Sequence, residues 1–168
     1  MALEIEPPVV ADYKGMLALN ESCVPHVNSI DRNELVFFHE SAHTIIKVVG
    51  EGKLAGFVIA LTSGAGYRSL NYQWFCRELS NFLYIDRIMV HPDFRRRGVA
   101  TMIYDYLVHI AIQDKIDCLC CEVNLHPVNP ESLALHERLG FVQRDTQQTE
   151  GGAKEVSLLV KQITSGFE

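Results

Sequence analysis

The segment LYIDRIMVHPDFRRRGVATMIYDYLVHIAIQD, residues 83 to 114, constrains the fold more than any other part of the chain. Leu83 to Val90 is an apolar run predicted as a strand, and His91-Pro92-Asp93 is turn chemistry. Val99 to Asp114 carries Ala100, Ile103, Leu107 and Ile110 at spacings of three and four, which predicts a helix with one apolar face. Between turn and helix stand Arg95, Arg96, Arg97 and Gly98, so a chain of net charge −6 places its densest positive charge at the mouth of a helix. A helix N-terminus presents unpaired N–H groups and the positive end of a dipole, and a glycine there lets a large anion approach without meeting a Cβ. The arginines add fixed charge, and the preceding turn can curl successive amides into an anion-binding concavity. Four such residues alone also describe a solvated basic patch. The strand before them and the amphipathic helix after them are what a phosphate-binding loop needs.

Elsewhere the periodicities give alternating elements. Leu3 to Ile5 reads as a short strand, and Val10, Tyr13 and Leu17 mark a helix that fades near Asn20. A second helix is predicted from Ser29 or Asp31, because Asp31 with Glu34 fits a capping box and Leu35 and Phe38 supply an apolar face. Thr44 to Val49 and Leu54 to Leu61 read as a hairpin about the Gly50-Glu51-Gly52-Lys53 turn. Ser63 to Phe82, with Gly64, Gly66 and the string SLNYQWF, reads as a long connection of the kind that forms a lid; Trp74 and Phe75 anchoring a loop to the core is the alternative. Asp117 to Val123 is a strand, and Asn129 to Leu139 a helix with Asn at its N-cap, Pro130 in its first turn and Gly140 past its end. Phe141 to Gln147 and Glu155 to Ile163 flank Gly151-Gly152 as a closing hairpin. No repeat or linker interrupts residues 1–168, which predicts a single domain built on a mixed sheet with helices on its faces.

Composition narrows the function classes. With 48% hydrophobic and 21% charged residues the chain is neither a disordered polymer nor a membrane span, and LAGFVIAL is far short of the ~20 apolar residues that a spanning helix requires. Acids at Glu4 and Glu6 stand where a secretory signal would carry Lys or Arg, so a cytoplasmic location is expected. Five cysteines, three of them in CLCC, suit reduced thiols, and no second ligand pair accompanies them to support a metal site. Cys118 and Cys120 on one strand face and Cys121 on the other read as small buried hydrophobes rather than nucleophiles. The acidic balance argues against a sequence-independent nucleic-acid binder.

Arg95-Arg96-Arg97-Gly98-Val99-Ala100 resembles the Arg/Gln-x-x-Gly-x-Gly/Ala signature of the GNAT superfamily of N-acetyltransferases, and it follows a strand ending Ile88-Met89-Val90-His91-Pro92 as that signature does. A second block, an Asn opening a helix that ends in Gly-Phe, is similar to Asn129-Pro130-Glu131-Ser132 through Leu139-Gly140-Phe141. YIDRI, CEVN and NY-x-WF resemble an uncharacterised bacterial branch of the same superfamily. The resemblance covers roughly residues 83 to 141. It implies an α/β (α+β) fold: a mixed, mostly antiparallel central sheet of about seven strands with helices on both faces. It also implies acetyl-CoA as co-substrate, with no metal, held where the strands at 83 to 90 and 117 to 123 splay apart. Main-chain groups of Ile88, Met89 and Val90 would pair with the pantetheine arm. Amides from Arg95 or Arg96 through Arg97, Gly98, Val99, Ala100 and Thr101 would hold the diphosphate, and Asn129 and Ser132 would touch the coenzyme's arm.

The implied reaction is direct attack of a neutral amine on the thioester, with a strand N–H of Met89 or Val90 facing the developing oxyanion. Where the family commonly has a Tyr that protonates the departing sulfur, this chain has His136. A thiol of pKa ~8.5 already leaves tolerably, so the Tyr is dispensable, and His136 is either the acid or a core histidine. A base matters more. Deprotonating an amine of pKa ~10.4 at pH 7 costs roughly 4.6 kcal/mol, against about 1.4 kcal/mol for an α-amine of pKa ~8. Asp86 and Glu122 are the best placed carboxylates; either acts through a water or pairs with Arg87, and Asp86 is preferred. Glu21 and His26, after the first helix, and Asn71, Tyr72 and Trp74 in the long connection are expected to meet the acceptor, a small amine, amino acid or peptide N-terminus. No nucleic-acid or membrane partner is expected, and open hairpin edges are compatible with a homodimer. A coenzyme-A-binding sensor without turnover is the alternative from another class, and a basic patch for polyanions a further one.

Overall fold

Strand and helix alternate along the chain as the apolar periodicity dictates, in a computed structural model that describes residues 2–164. In order the elements are β1 (Leu3–Glu6), α1 (Tyr13–Ser22), α2 (Arg32–Ser41), β2 (Thr44–Gly50), β3 (Lys53–Leu61), α3 (Leu70–Glu78), β4 (Phe82–Val90), α4 (Val99–Gln113), β5 (Cys118–His126), α5 (Pro130–Arg138), β6 (Val142–Thr149) and β7 (Lys154–Gln162). Local chemistry sets several ends. Asp31 and Glu34 form the reciprocal capping box that opens α2. Asn129 caps α5 by accepting from the amide of Ser132 at 3.3 Å. The β2–β3 turn uses Glu51 and Gly52 at positive φ.

The seven strands form a sheet of order β1-β2-β3-β4-β5-β7-β6. β1–β2, β2–β3, β5–β7 and β6–β7 are antiparallel, whereas β4 and β5 are parallel. The fold is thus the expected mixed, mostly antiparallel one. The parallel register runs only from Phe82↔Cys118 to Tyr84↔Cys120, and Ile85 and Asp86 lie outside it. β5 meanwhile goes on pairing with β7 as far as His126.

The chain divides into two compact units. The first comprises the residues up to Leu61 together with Arg87–Leu107, and its buried side chains include Met16, Leu35, Phe38, Phe57, Met89 and Phe94. The second comprises Thr62–Asp86 and the chain from Val108 onward, with Phe75, Phe82, Tyr84, Leu119 and Leu158 among its buried residues. Cys118, Cys120 and Cys121 are all buried free thiols, since β5 is covered on both faces. Among the described residues no helix is long and apolar enough to cross a membrane.

Two expectations need correcting. The connection between β3 and β4 is not a long irregular lid, because Leu70–Glu78 forms α3, capped by the side chain of Ser69. Aromatic residues are indifferent helix formers, so the string concealed a helix that tertiary packing stabilises. Tyr72 and Phe75, three apart, are buried on one face, and each such ring contributes about 1.5–3 kcal/mol of burial. The inner face of α4 is also rotated from the expected one. Val99, Ile103, Tyr104, Leu107 and Ala111 are buried, while Ala100 and Ile110 are half-exposed.

Candidate functional site

The turn after β4 is a 3-10 turn over Pro92–Phe94, capped by the ring of His91, which accepts from the amide of Asp93 at 3.1 Å. The amide of Arg95 is already committed to the carbonyl of Pro92 at 3.3 Å, and that of Met102 makes the helical bond to Gly98 at 2.9 Å. Between them, the amides of Arg96 through Thr101 have no main-chain acceptor among the described residues. Arg96 and Gly98 both sit at positive φ, 59° and 83°. Left-handed residues next to the first turn of a helix make successive N–H groups converge, which is an anion-binding nest. A Cβ built at Gly98 would meet nothing within 4 Å, so the space before these amides is open. The three arginines differ. Arg97 bonds Glu51 at 2.8 Å and lies over the Phe94 ring at 4.8 Å, which fastens the loop to the β2–β3 turn. Arg95 and Arg96 are exposed, with no ion pair among the described residues.

β4 approaches β3 very closely at Met89. A Cβ on Gly56 would lie 2.4 Å from the carbonyl oxygen of Met89 and 3.0 Å from a methyl of Val99, so only glycine admits this packing. His91 N–H donates to the carbonyl of Ala55 at 2.8 Å. With Met89 O and His91 N–H both directed at β3, peptide alternation along the strand turns the main-chain groups of Ile88 and Val90 to the opposite edge. Of the two expected oxyanion donors, Met89 thus faces β3 and Val90 faces away from it. An isolated glycine inside the apolar run of β3 was the available signal for Gly56.

In the second unit, Glu122 of β5 accepts a hydrogen bond on Oε1 from Tyr84 Oη at 2.9 Å. Its Oε2 is buried with no hydrogen-bond partner among the described residues. Burial, and then the negative charge of Asp86, push the Glu122 carboxyl up to about 8, against a partial lowering by donation from Tyr84 and from the side chain of Asn71. Asn71 is itself held by Gln147, whose amide donates to its Oδ1 at 2.8 Å. A carboxyl so placed is mainly protonated at pH 7 and ionises as the pH rises through about 8, where it can take a proton from an amine. Asn71, Asp86 and Glu122 are brought together as a group. Tyr84, which stood in the YIDRI block without an assigned role, and Gln147, which carried no motif signal, complete it. Tyr72 does not join them: its hydroxyl donates to the carbonyl of Thr62 at 2.6 Å and accepts from the amide of Ala65 at 3.1 Å. Trp74 packs edge-on against Phe75.

His136 is 3% exposed and packs against Phe141. Its Nδ1 lies 2.6 Å from the carbonyl oxygen of Ser132, which fixes the proton on Nδ1, and burial lowers its pKa. Ser132 Oγ stands 3.3 Å from the same nitrogen. The ring is thus buried with Nδ1 donating to a carbonyl of its own helix, and burial favours its neutral form. Glu21 accepts from Ser29 Oγ at 2.6 Å, and His26 is exposed on the segment that follows α1. That segment is fastened by the buried Arg87, whose guanidinium donates to Asn20 Oδ1 at 2.7 Å and the Asn28 carbonyl at 3.1 Å. Among the described residues no three His, Cys, Asp or Glu side chains are grouped to hold a metal ion.

Comparison with known proteins bears on the family and the fold. Residues 13–141 match the family model described as the acetyltransferase (GNAT) family. No curated protein sequence matches the chain significantly. Among solved structures, the ribosomal-protein-S18-alanine N-acetyltransferase of Escherichia coli is similar over 99% of this chain and 97% of its own, at 17% identity and a TM-score of 0.74. Ard1 from Thermoplasma volcanium is similar over 98% and 100%, at 13% identity and a TM-score of 0.80. NAA60 of Arabidopsis thaliana, solved with a bisubstrate analogue, is similar over 96% and 98%, at 15% identity and a TM-score of 0.77. At these identities the likeness is one of fold.

Proposed function

Because the chain belongs to the GNAT family of acetyltransferases, we propose that it transfers the acetyl group of acetyl-CoA to an amine acceptor by direct attack while donor and acceptor are bound together. The acceptor class is a small amine, an amino acid or a peptide N-terminus. The observation that carries the reading is the run of uncommitted amides from Arg96 to Thr101 before open space at Gly98, which suits a diphosphate. Arg95 and Arg96 add charge to that grip, and Arg97 holds the loop in shape.

Acetyl-CoA supplies an acyl group activated as a thioester. Main-chain groups of Ile88 and Val90 pair with its arm as an added strand would, and the N–H of Val90 faces the thioester oxygen as negative charge develops there. Asn129 and Ser132 are assigned to the same arm. Glu122 takes the proton that the amine must lose, directly or through a water, and Asp86 keeps the proton affinity of Glu122 high. His136 has a packing role, since a neutral ring with its proton on Nδ1 has none to give from Nε2. Asn71, Glu21, His26 and Trp74 remain assigned to the acceptor side. The reading includes a single domain working in the cytoplasm, which five unpaired thiols support, and association through the exposed outer strand β6 as a homodimer.

The test is to mix pure protein with acetyl-CoA and a panel of amines and follow free thiol. Amine-dependent release with saturation in both substrates is the expected result. Release indifferent to every amine, or none at all, would contradict the proposal.

A further inference from the structure

β6 is an exposed outer strand, and from Val142 to Gln148 only Gln147 is half-buried. Its backbone pairs with Val156 of β7, while its side-chain amide reaches α3 and donates to Oδ1 of Asn71 at 2.8 Å. An amide that accepts on Oδ1 keeps its NH2 group for a second partner, and that of Asn71 donates to the carboxyl of Glu122. From β4, Tyr84 Oη donates to Oε1 of the same carboxyl at 2.9 Å. The hydrogen bonds therefore run one way, from Gln147 through Asn71 to Glu122, whose Oε2 is buried with no partner among the described residues. A bond made merely to join β6 to α3 would not need that direction. The reversed amide would tie the two elements equally well, but it would present Oδ1 to Glu122, and an ionised carboxylate has no proton to give it.

We propose that Gln147 is a positioning residue for Glu122: by donating to Oδ1 it holds the Asn71 amide with its NH2 group toward the carboxyl, the orientation that receives the ionised form. The inference rests on the reading of Glu122 as the group that takes the amine's proton, and it adds a residue that acts through Asn71 without touching substrate. Once the Gln147 donor is lost, the Asn71 amide is free to turn over. Its Oδ1 then accepts from the protonated carboxyl, which favours the neutral form, so Glu122 gives up its proton only at higher pH. The titratable groups around this carboxyl are Tyr84 and Asp86 on β4 and Cys120 and Cys121 on β5, and the residue opposite on β7 is the buried Leu158. A neutral substitution on β6 alters the charge of none of them.

The titration of Glu122 is to be followed by the chemical shift of its carboxyl carbon in the full chain, isotope-labelled at the glutamate side chains, with the resonance assigned by its loss in Glu122→Gln. Gln147→Met, which keeps the length and loses both hydrogen-bonding groups, should raise the midpoint from about 8 by about one pH unit, and Gln147→Leu should do the same. Either change made together with Asn71→Ala should add nothing to the midpoint of Asn71→Ala alone, because no amide is then left to orient. In thiol release from acetyl-CoA with an amine, the rising limb of kcat/KM should move with the carboxyl. Gln147 variants that melt lower with the midpoint unmoved would overturn the proposal, and so would a shift of equal size with Asn71 absent. Midpoints that shift as expected in a protein that releases no thiol with any amine would leave the positioning standing and take the acetyl-transfer reading down.

Discussion

The loop after β4 and the cluster around Glu122 are built on opposite principles. The loop is contiguous: Arg96 to Thr101 act through main-chain amides, and two positive φ angles aim them. The cluster is assembled from Asn71 on α3, Tyr84 and Asp86 on β4, Glu122 on β5 and Gln147 on β6, and it acts through side chains whose proton affinities depend on burial. A site made of backbone is written locally in the sequence, and the anion binding proposed for it would tolerate changes of side chain. A site made of scattered side chains is written nowhere in particular, and its function depends on each partner. Donor binding and turnover should therefore be separable by mutation.

The largest expected effect is on the loop. Gly98→Asp puts a Cβ at φ 83° and a negative charge before the free amides, and should weaken coenzyme A binding at least ~100-fold by calorimetry while leaving the thermal transition cooperative. Unchanged affinity would erase the contrast at its first term. Next comes Glu122→Gln, expected to lower kcat by about 10²–10³-fold with coenzyme affinity within about twofold of wild type. Loss of both properties together would mean that the two regions are not separable. The same variant sharpens the comparison through stability. In the folded protein the Glu122 carboxyl stays protonated up to about 8, against 4.5 for an ordinary one, so the native state loses stability as pH rises from about 4.5 to about 8. Glu122→Gln lacks that titration and should melt several degrees higher than wild type at pH 9, with the difference vanishing at pH 4. The smallest effects separate the arginines. Arg95→Ala with Arg96→Ala should weaken coenzyme binding about tenfold, more at low salt than at high. Arg97→Ala, which removes an exposed pair with Glu51, should change it by less than about threefold.

What could be read from the sequence follows the same division. The capping residues Asp31 and Asn129 and the strand–turn–helix around Gly98 were legible because each is fixed by neighbours within four residues. α3 was not, because its stability comes from Tyr72 and Phe75 packing against Tyr84, and its aromatic string has no helical signature of its own. Asp86 and Glu122 were visible as carboxylates on neighbouring strands. Which of them carries the raised pKa was not, since that depends on Tyr84, Asn71 and the burial of one oxygen. His136 at i+4 from Ser132 looked like a pair aimed at a ligand. In the structure its Nδ1 meets the helix's own carbonyl, a detail that spacing does not contain.

The most direct test of Glu122 as the proton acceptor is the pH dependence of kcat/KM with a series of acceptor amines of different basicity. Two inflections are expected: one that moves with the pKa of the amine, and one that stays near 8, is missing in Glu122→Gln, and marks activity rising as Glu122 loses its proton. A profile in which the only inflection is the amine's own, in wild type as in the variant, would contradict it.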